Sequence, residues 1–204
     1  MRTLLKNARL VDPEAETEAT GWLLIEDDMI ADLGTGAAPA GAEVERDCKG
    51  LALAPGIVDI GVKVCEPGER HKESYRSAGL AAAAGGVTTM VTRPDTIPAI
   101  DTPEVLEFVA RRANEAAPVR VLPMAALTKG REGREMTELG FLLDAGAVAF
   151  TDCDHVVANT KVFARALTYA RSRGALVIAH PQEPILASGA AASSGPRASM
   201  AGLP

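Results

Sequence analysis

Aromatic side chains are scarce in this chain, which holds four Phe, two Tyr and one Trp among 204 residues. A stacking platform for single-stranded nucleic acid needs aromatics interleaved with basic residues, and Trp22 and the two tyrosines form none. Positive charge is also in deficit. The 21 Lys and Arg stand against 27 Asp and Glu, a net charge of −6, which argues against nucleic acid or an anionic membrane as the main partner. Cysteine occurs three times, as Cys48, Cys65 and Cys153. An odd number without close pairing gives no disulfide framework and fits a reducing, cytoplasmic compartment. No apolar run approaches the roughly 20 residues of a membrane span, and the charges scattered through residues 1–14 do not read as a signal peptide. What remains is 47% hydrophobic and 24% charged, an ordinary globular balance. Rich in Ala, Val, Leu and Gly, it suits tightly packed α/β layers.

The pattern changes near residue 50. Before it, Thr3–Val11, Gly21–Glu26 and Met29–Leu33 read as short strands joined by turns, followed by a Gly/Ala/Pro loop over Gly34–Gly41. Residues 1–50 are therefore expected to form a small β unit. From residue 51 strands and helices alternate. Leu51–Cys65 is β-rich, and Lys72–Ala84 is a helix closed by Gly85-Gly86. Val87–Thr92 is a strand, and Thr102-Pro103 opens a helix running to about Ala116. Val119–Leu127 is strand, Glu132–Ala145 helix, Ala147–Thr151 strand, Thr160–Arg173 helix ending at Gly174, and Ala175–His180 strand. Repeated βα units predict an α/β fold with a parallel sheet and its site at the strands' C-terminal ends. A closed (β/α)₈ barrel takes about 250 residues. Residues 51–204 are thus expected to supply about five of eight units, a truncated barrel with a small-residue tail.

One run carries a chemical pattern: Pro55-Gly56-Ile57-Val58-Asp59-Ile60-Gly61-Val62-Lys63-Val64-Cys65-Glu66-Pro67-Gly68. It resembles the first barrel strand of the cyclic amidohydrolases, roughly PG-hydrophobic-x-D-x-H-x-H-x-R-x-PG. Further stretches follow in the family's order: Ala83–Thr89 resembles AAGGFTT, Arg93–Thr96 resembles MPNT, Thr128-Lys129-Gly130 resembles TKG, and Phe150-Thr151-Asp152 resembles the start of FTDD. The resemblance covers the whole chain and is to dihydroorotase, the zinc enzyme that closes carbamoyl-aspartate to dihydroorotate. It implies a (β/α)₈ barrel with a small N-terminal β-sandwich piece.

The same resemblance exposes departures. Residues two apart on a strand share a face, so the family's two histidines reach one metal that acidifies water or polarises the amide. Here the same-face series is Asp59, Gly61, Lys63 and Cys65. Gly61 offers no ligand, and Lys63 puts a cation where a cation would bind. Cys65 stands where the family has a carboxylate-binding arginine, and Asp95 where it has asparagine. Of metal donors, Asp152 and His180 survive, with Cys153 replacing the second acid; Cys65, Cys153 and His180 are soft donors that suit one zinc in an altered site. Lys63 paired with Asp152 or Glu183 would take the metal's place as the positive centre. His71 and His155 read as surface residues, and Arg131 and Arg134, with Glu132 and Glu135, as a solvated helix start.

No catalytic residue is assigned on this reading, and no cofactor is expected. The resemblance to the family's non-catalytic branch implies a homo- or hetero-oligomeric scaffold or activator for aspartate carbamoyltransferase. The alternative is a zinc-dependent cyclic amidohydrolase with an altered metal site.

Overall fold

The computed structural model describes residues 1–203, and the chain divides into two compact units at Gly56. In the first unit, β1 (Arg2–Asp12), β2 (Thr17–Glu26) and β3 (Met29–Gly34) form an antiparallel meander. β4 (Val44–Asp47) and β5 (Ala52–Leu53) then pair with β1 in parallel. The pairing of β5 with β1 carries the β unit a few residues past the composition change near residue 50. Leu4, Trp22 and Leu24 make its small core.

The second unit starts at Ile57. β6 (Ile57–Val62), β7 (Val87–Thr92) and β8 (Arg120–Pro123) run parallel in that order. Parallel bridges Ala125–Phe150 and Phe150–Val177 extend the same succession through two further chain passages. The five passages expected from the sequence are present, but the last two are single bridges instead of full strands. Helices α1 (Tyr75–Ala84), α2 (Pro103–Ala116), α3 (Leu139–Asp144) and α4 (Thr160–Ser172) separate them. Their apolar stripes contribute Tyr75, Leu106, Val109, Leu142 and Ala166 to the core, where they join Phe150 of the fourth passage, all fully buried. At about 25 cal/mol per Å² of apolar area removed from water, such burial is the main stabilising force.

Local signals set most boundaries. Helix α1 starts at Tyr75, three residues after the expected Lys72, because Ser74 and Ser77 close a reciprocal capping box. Helix α2 begins with Pro103 as read, although the Thr102 side chain makes no capping bond. The predicted helix over Glu132–Ala145 does not form as a whole. A single 3₁₀ turn occupies Lys129–Arg131, and α3 starts only at Leu139. Gly130, Arg131 and Gly133 all have positive φ, which a right-handed helix cannot accommodate. The tail carries a short helix α5 (Pro196–Met200), and the final residue of the small-residue tail, Pro204, lies outside the described residues. No helix among the described residues is long and apolar enough to cross a membrane.

Candidate functional site

The parallel passages deliver their following residues to one end of the sheet: Lys63 after β6, Arg93 and Asp95 after β7, Asp152–Asp154 after the fourth passage, and His180 after the fifth. An open cleft of about 310 Å³ lies there, lined by Gly61, Arg93, Thr151, Cys153, Asp154 and His180 among others.

The expected same-face series on β6 is broken. The register skips from Ile60–Val91 to Val62–Thr92, leaving Gly61 as an unpaired bulge, and the strand ends at Val62 before Lys63 and Cys65 are reached. Gly61 has φ +99°, a conformation open to glycine and costly for any L side chain. Asp59 stays exposed on the strand, and Cys65 is half-buried beyond it.

Asp95 is the electrostatic centre. Its side chain is 3% exposed, and one oxygen, Oδ2, lies 3.1 Å from Lys63 Nζ, 2.8 Å from Arg93 Nη2 and 4.0 Å from Arg131 Nη1. Lys63 thus does hold a carboxylate, but it is Asp95 and not the expected Asp152 or Glu183. Three cations around one anion repay a desolvation that a lone buried carboxylate would not survive. Arg93 Nη2 also reaches Asp154 Oδ1 at 3.1 Å. Arg131, which the sequence reading placed on a solvated face, is only 14% exposed on its side chain. The available sequence signal was the glycine pair flanking it, since Gly130 and Gly133 break the helix that would have turned Arg131 outward.

Asp152 is buried and engaged. Its Oδ1 accepts the backbone N–H groups of Leu127 and Thr128, each at 3.0 Å, and its Oδ2 accepts the Thr128 hydroxyl. Thr128 Oγ1 in turn accepts Gly133 N–H at 2.8 Å. The carboxylate acts as an anchor for residues 127–133, and Asp152 also lines a cavity of about 170 Å³ together with His155 and His180. Cys153 lines the cleft at φ +58°. Burial pushes its thiol above the ordinary value, reinforced by the charge of Asp95 and opposed by Arg93. His180 is exposed, with Nε2 3.0 Å from Gln182 Oε1. His155 sits at the surface, Nδ1 3.0 Å from the Arg131 carbonyl, and His71 is exposed in a turn.

These donors do not fit a zinc site. Cys153 and His180 share the cleft, and Asp152 and His180 share a neighbouring cavity, but both Asp152 oxygens already accept hydrogen bonds from Leu127 and Thr128, and the family's two histidine positions hold Gly61 and the Asp95-paired Lys63. Among the described residues no three His, Cys, Asp or Glu side chains are placed to share a metal.

Residues 50–203 match the family model described as dihydro-orotase-like. The chain belongs to the dihydroorotase-like family. It is 42% identical over 205 residues to a "Dihydroorotase-like protein" of Pseudomonas aeruginosa, covering 100% of this chain and 48% of that protein. A "Dihydroorotase" of Wolbachia is 40% identical over 190 residues, covering 93% of this chain and 43% of the relative. This dihydroorotase-like chain therefore spans about half the length of the curated relatives it matches. Among solved structures, the L-hydantoinase of Arthrobacter aurescens superimposes with a TM-score of 0.76 at 20% identity, over 87% of this chain and 40% of that one. A crystal structure of a dihydroorotase gives 0.60 at 17% identity, over 90% and 52%. The parallel βα succession of the second unit is part of the amidohydrolase (β/α)₈ barrel seen in these proteins.

Proposed function

We propose that this member of the dihydroorotase-like family does not turn over dihydroorotate itself and serves pyrimidine synthesis, in the cytoplasm, as a scaffold for or activator of aspartate carbamoyltransferase, within a homo- or hetero-oligomer. The observation that carries the non-catalytic part is the Lys63–Asp95 pair at 3.1 Å. It places a cation on the family's second histidine position and commits that cation to a buried carboxylate. The bulge at Gly61 and the engagement of Asp152 point the same way. With catalysis lost, retention of a packed barrel portion is accounted for by an assembly role, the transferase being the partner that the family resemblance supplies.

The experiment has two arms. Purified protein is analysed for bound zinc and assayed for dihydroorotate hydrolysis, with no stoichiometric zinc and no turnover expected. Zinc-dependent turnover would establish the alternative, a cyclic amidohydrolase with an altered metal site. In the second arm, co-purification with aspartate carbamoyltransferase and loss of transferase activity on deletion of this chain are expected. A transferase fully assembled and active alone would remove the scaffold role.

A further inference from the structure

The first unit has an apolar face that its small core does not use. Successive residues of a strand point to opposite faces, so a sheet with one face in water alternates apolar with polar. β2 instead runs Trp22-Leu23-Leu24-Ile25, and β1 holds Leu4-Leu5. Both faces of the sheet are therefore apolar.

The strand register separates the two faces. Leu4 lies opposite Leu24, and with Trp22 they form the buried core of the unit. On the other face, Leu33, Leu23, Leu5 and Arg46 make one row across β3, β2, β1 and β4, and Ile30, Ile25, Thr3 and Val44 make the next. Ile30 is 63% exposed, Leu33 58% and Val44 36%, while Leu5, Leu23 and Ile25 are half-buried. Among the described residues, none of these six apolar side chains joins a buried hydrophobic cluster. Carboxylates are kept off the face. Glu26, Asp32 and Glu45 fall on the side of Leu24 and Leu4. A contiguous exposed apolar face of this kind marks a protein interaction surface.

We propose that this face packs on the same face of a second copy of the chain, about a two-fold axis parallel to the strands. Sheets stacked face to face lie about 10 Å apart with their side chains interdigitated, and a two-fold contact uses one patch on both copies. The single charge of the face selects the axis. With the axis along the strands, β4 of each copy lies over β3 of the other, so Arg46 meets the strand that follows Asp28 in the β2–β3 turn. With the axis across the strands, β4 would lie over β4 and set one Arg46 against the other.

Area decides the strength of the contact. At about 4.8 Å between strands and about 3.4 Å between residues, the face offers on the order of 300 Å² per copy. Stable assemblies bury about 800 Å² per partner, so the dimer is a weak one, with a dissociation constant on the order of 100 µM. This interface stands apart from the non-catalytic scaffold reading, which rests on residues of the second unit.

The full 204-residue chain, purified without any transferase, is followed by sedimentation equilibrium over a range of concentrations. A reversible monomer–dimer equilibrium is expected. Ile30→Ser/Leu33→Ser, exposed changes that leave the Leu4, Trp22 and Leu24 core intact, weakens it about tenfold or more. Arg46→Glu and Asp28→Lys each weaken it several-fold, and the two together recover wild-type association. Circular dichroism verifies that every variant is folded. A monomer at every concentration overturns the second copy as occupant and leaves the face to a different chain. A dimer indifferent to Ile30→Ser/Leu33→Ser overturns the assigned surface. Assembly beyond two chains overturns the two-fold contact, and failure of the paired charge changes to recover association overturns the axis along the strands.

Discussion

At the scale of single residues, the decisive feature is a charge exchange. Where a metal-dependent relative needs neutral imidazoles, this protein has a backbone bulge and an ammonium group, and the ammonium is neutralised by Asp95. Removing the buried partner is expected to cost more than removing an exposed one. Asp95→Ala, which strands Arg93 and the partly buried Arg131, should destabilise by about 3 kcal/mol. Lys63→Met should cost about 1 kcal/mol or less, because its ammonium is half in water and Arg93 still holds Asp95. Urea melts of both variants check the order, and equal losses would show that Lys63 bears more of the load than its exposure implies. Restoring the family's residue at position 61 should fail as a repair. Gly61→His meets open space around its Cβ but an unfavourable backbone at φ +99°, a strain of about 1–3 kcal/mol. Gly61→His/Lys63→His is therefore expected to lose stability and to bind no stoichiometric zinc, as read by elemental analysis.

At the scale of elements, the 127–133 segment shows a motif serving structure. The Asp152 carboxylate receives three hydrogen bonds, and Thr128 passes one on to Gly133. Asp152→Ala leaves the Leu127 and Thr128 N–H groups without their buried acceptor, a loss of about 2–3 kcal/mol. The Gly133 amide should lose hydrogen-exchange protection along with it, since its acceptor Thr128 is no longer held. Protection unchanged at Gly133 would show that the segment is fixed by its other contacts. Gly133 has its own constraint: a Cβ there would lie 3.3 Å from the Val156 carbonyl, at φ +70°. The same segment explains why the sequence reading of a helix over 132–145 failed. Charged residues at helical spacing looked like a solvated face, but glycines at 130 and 133 and the Asp152 anchor pulled the chain into a compact turn and brought Arg131 inward.

At the scale of the whole molecule, two buried ionisable groups tie stability to pH from opposite sides. Burial raises the Tyr75 phenol to about 12, against an ordinary value of 10.0. The folded state keeps the proton longer than the unfolded chain, so this contribution is complete below pH 10 and is lost as pH rises toward 12. Its full size is about 2–3 kcal/mol. Tyr75→Phe should flatten that part of the alkaline stability profile relative to wild type in denaturant melts, and an unchanged slope would place the loss elsewhere. For Glu66, burial alone would raise the carboxyl. The Arg112 hydrogen bond, the Tyr75 N–H and the charges of Arg112 and Arg70 outweigh burial and leave it lowered. Its contribution is present above the ordinary carboxylate range and is lost as pH falls through the lowered value. Arg112→Met should therefore weaken the acid dependence and reduce stability near neutral pH, measured by the same melts.

The sequence alone determined the order of elements, the parallel βα succession and the family, because hydrophobic period, helix caps and motif order are local properties written along the chain. Val87–Thr92 and the helix from Pro103 to about Ala116 were legible for that reason. It also showed that Gly61, Lys63, Cys65, Asp95 and Cys153 depart from the family pattern. Which charges meet was decided only by the tertiary structure. Lys63, Asp95 and Arg131 are separated by 32 and 36 positions in the chain, and nothing local says that one buried oxygen will collect all three cations. The bulge at Gly61 likewise depends on β7 as a pairing partner. The role of Asp152 as an anchor depends on a loop 24 residues away. Ion pairing and hydrogen-bond satisfaction are settled by proximity and burial, and both arise only once the sheet has brought the ends of its strands together.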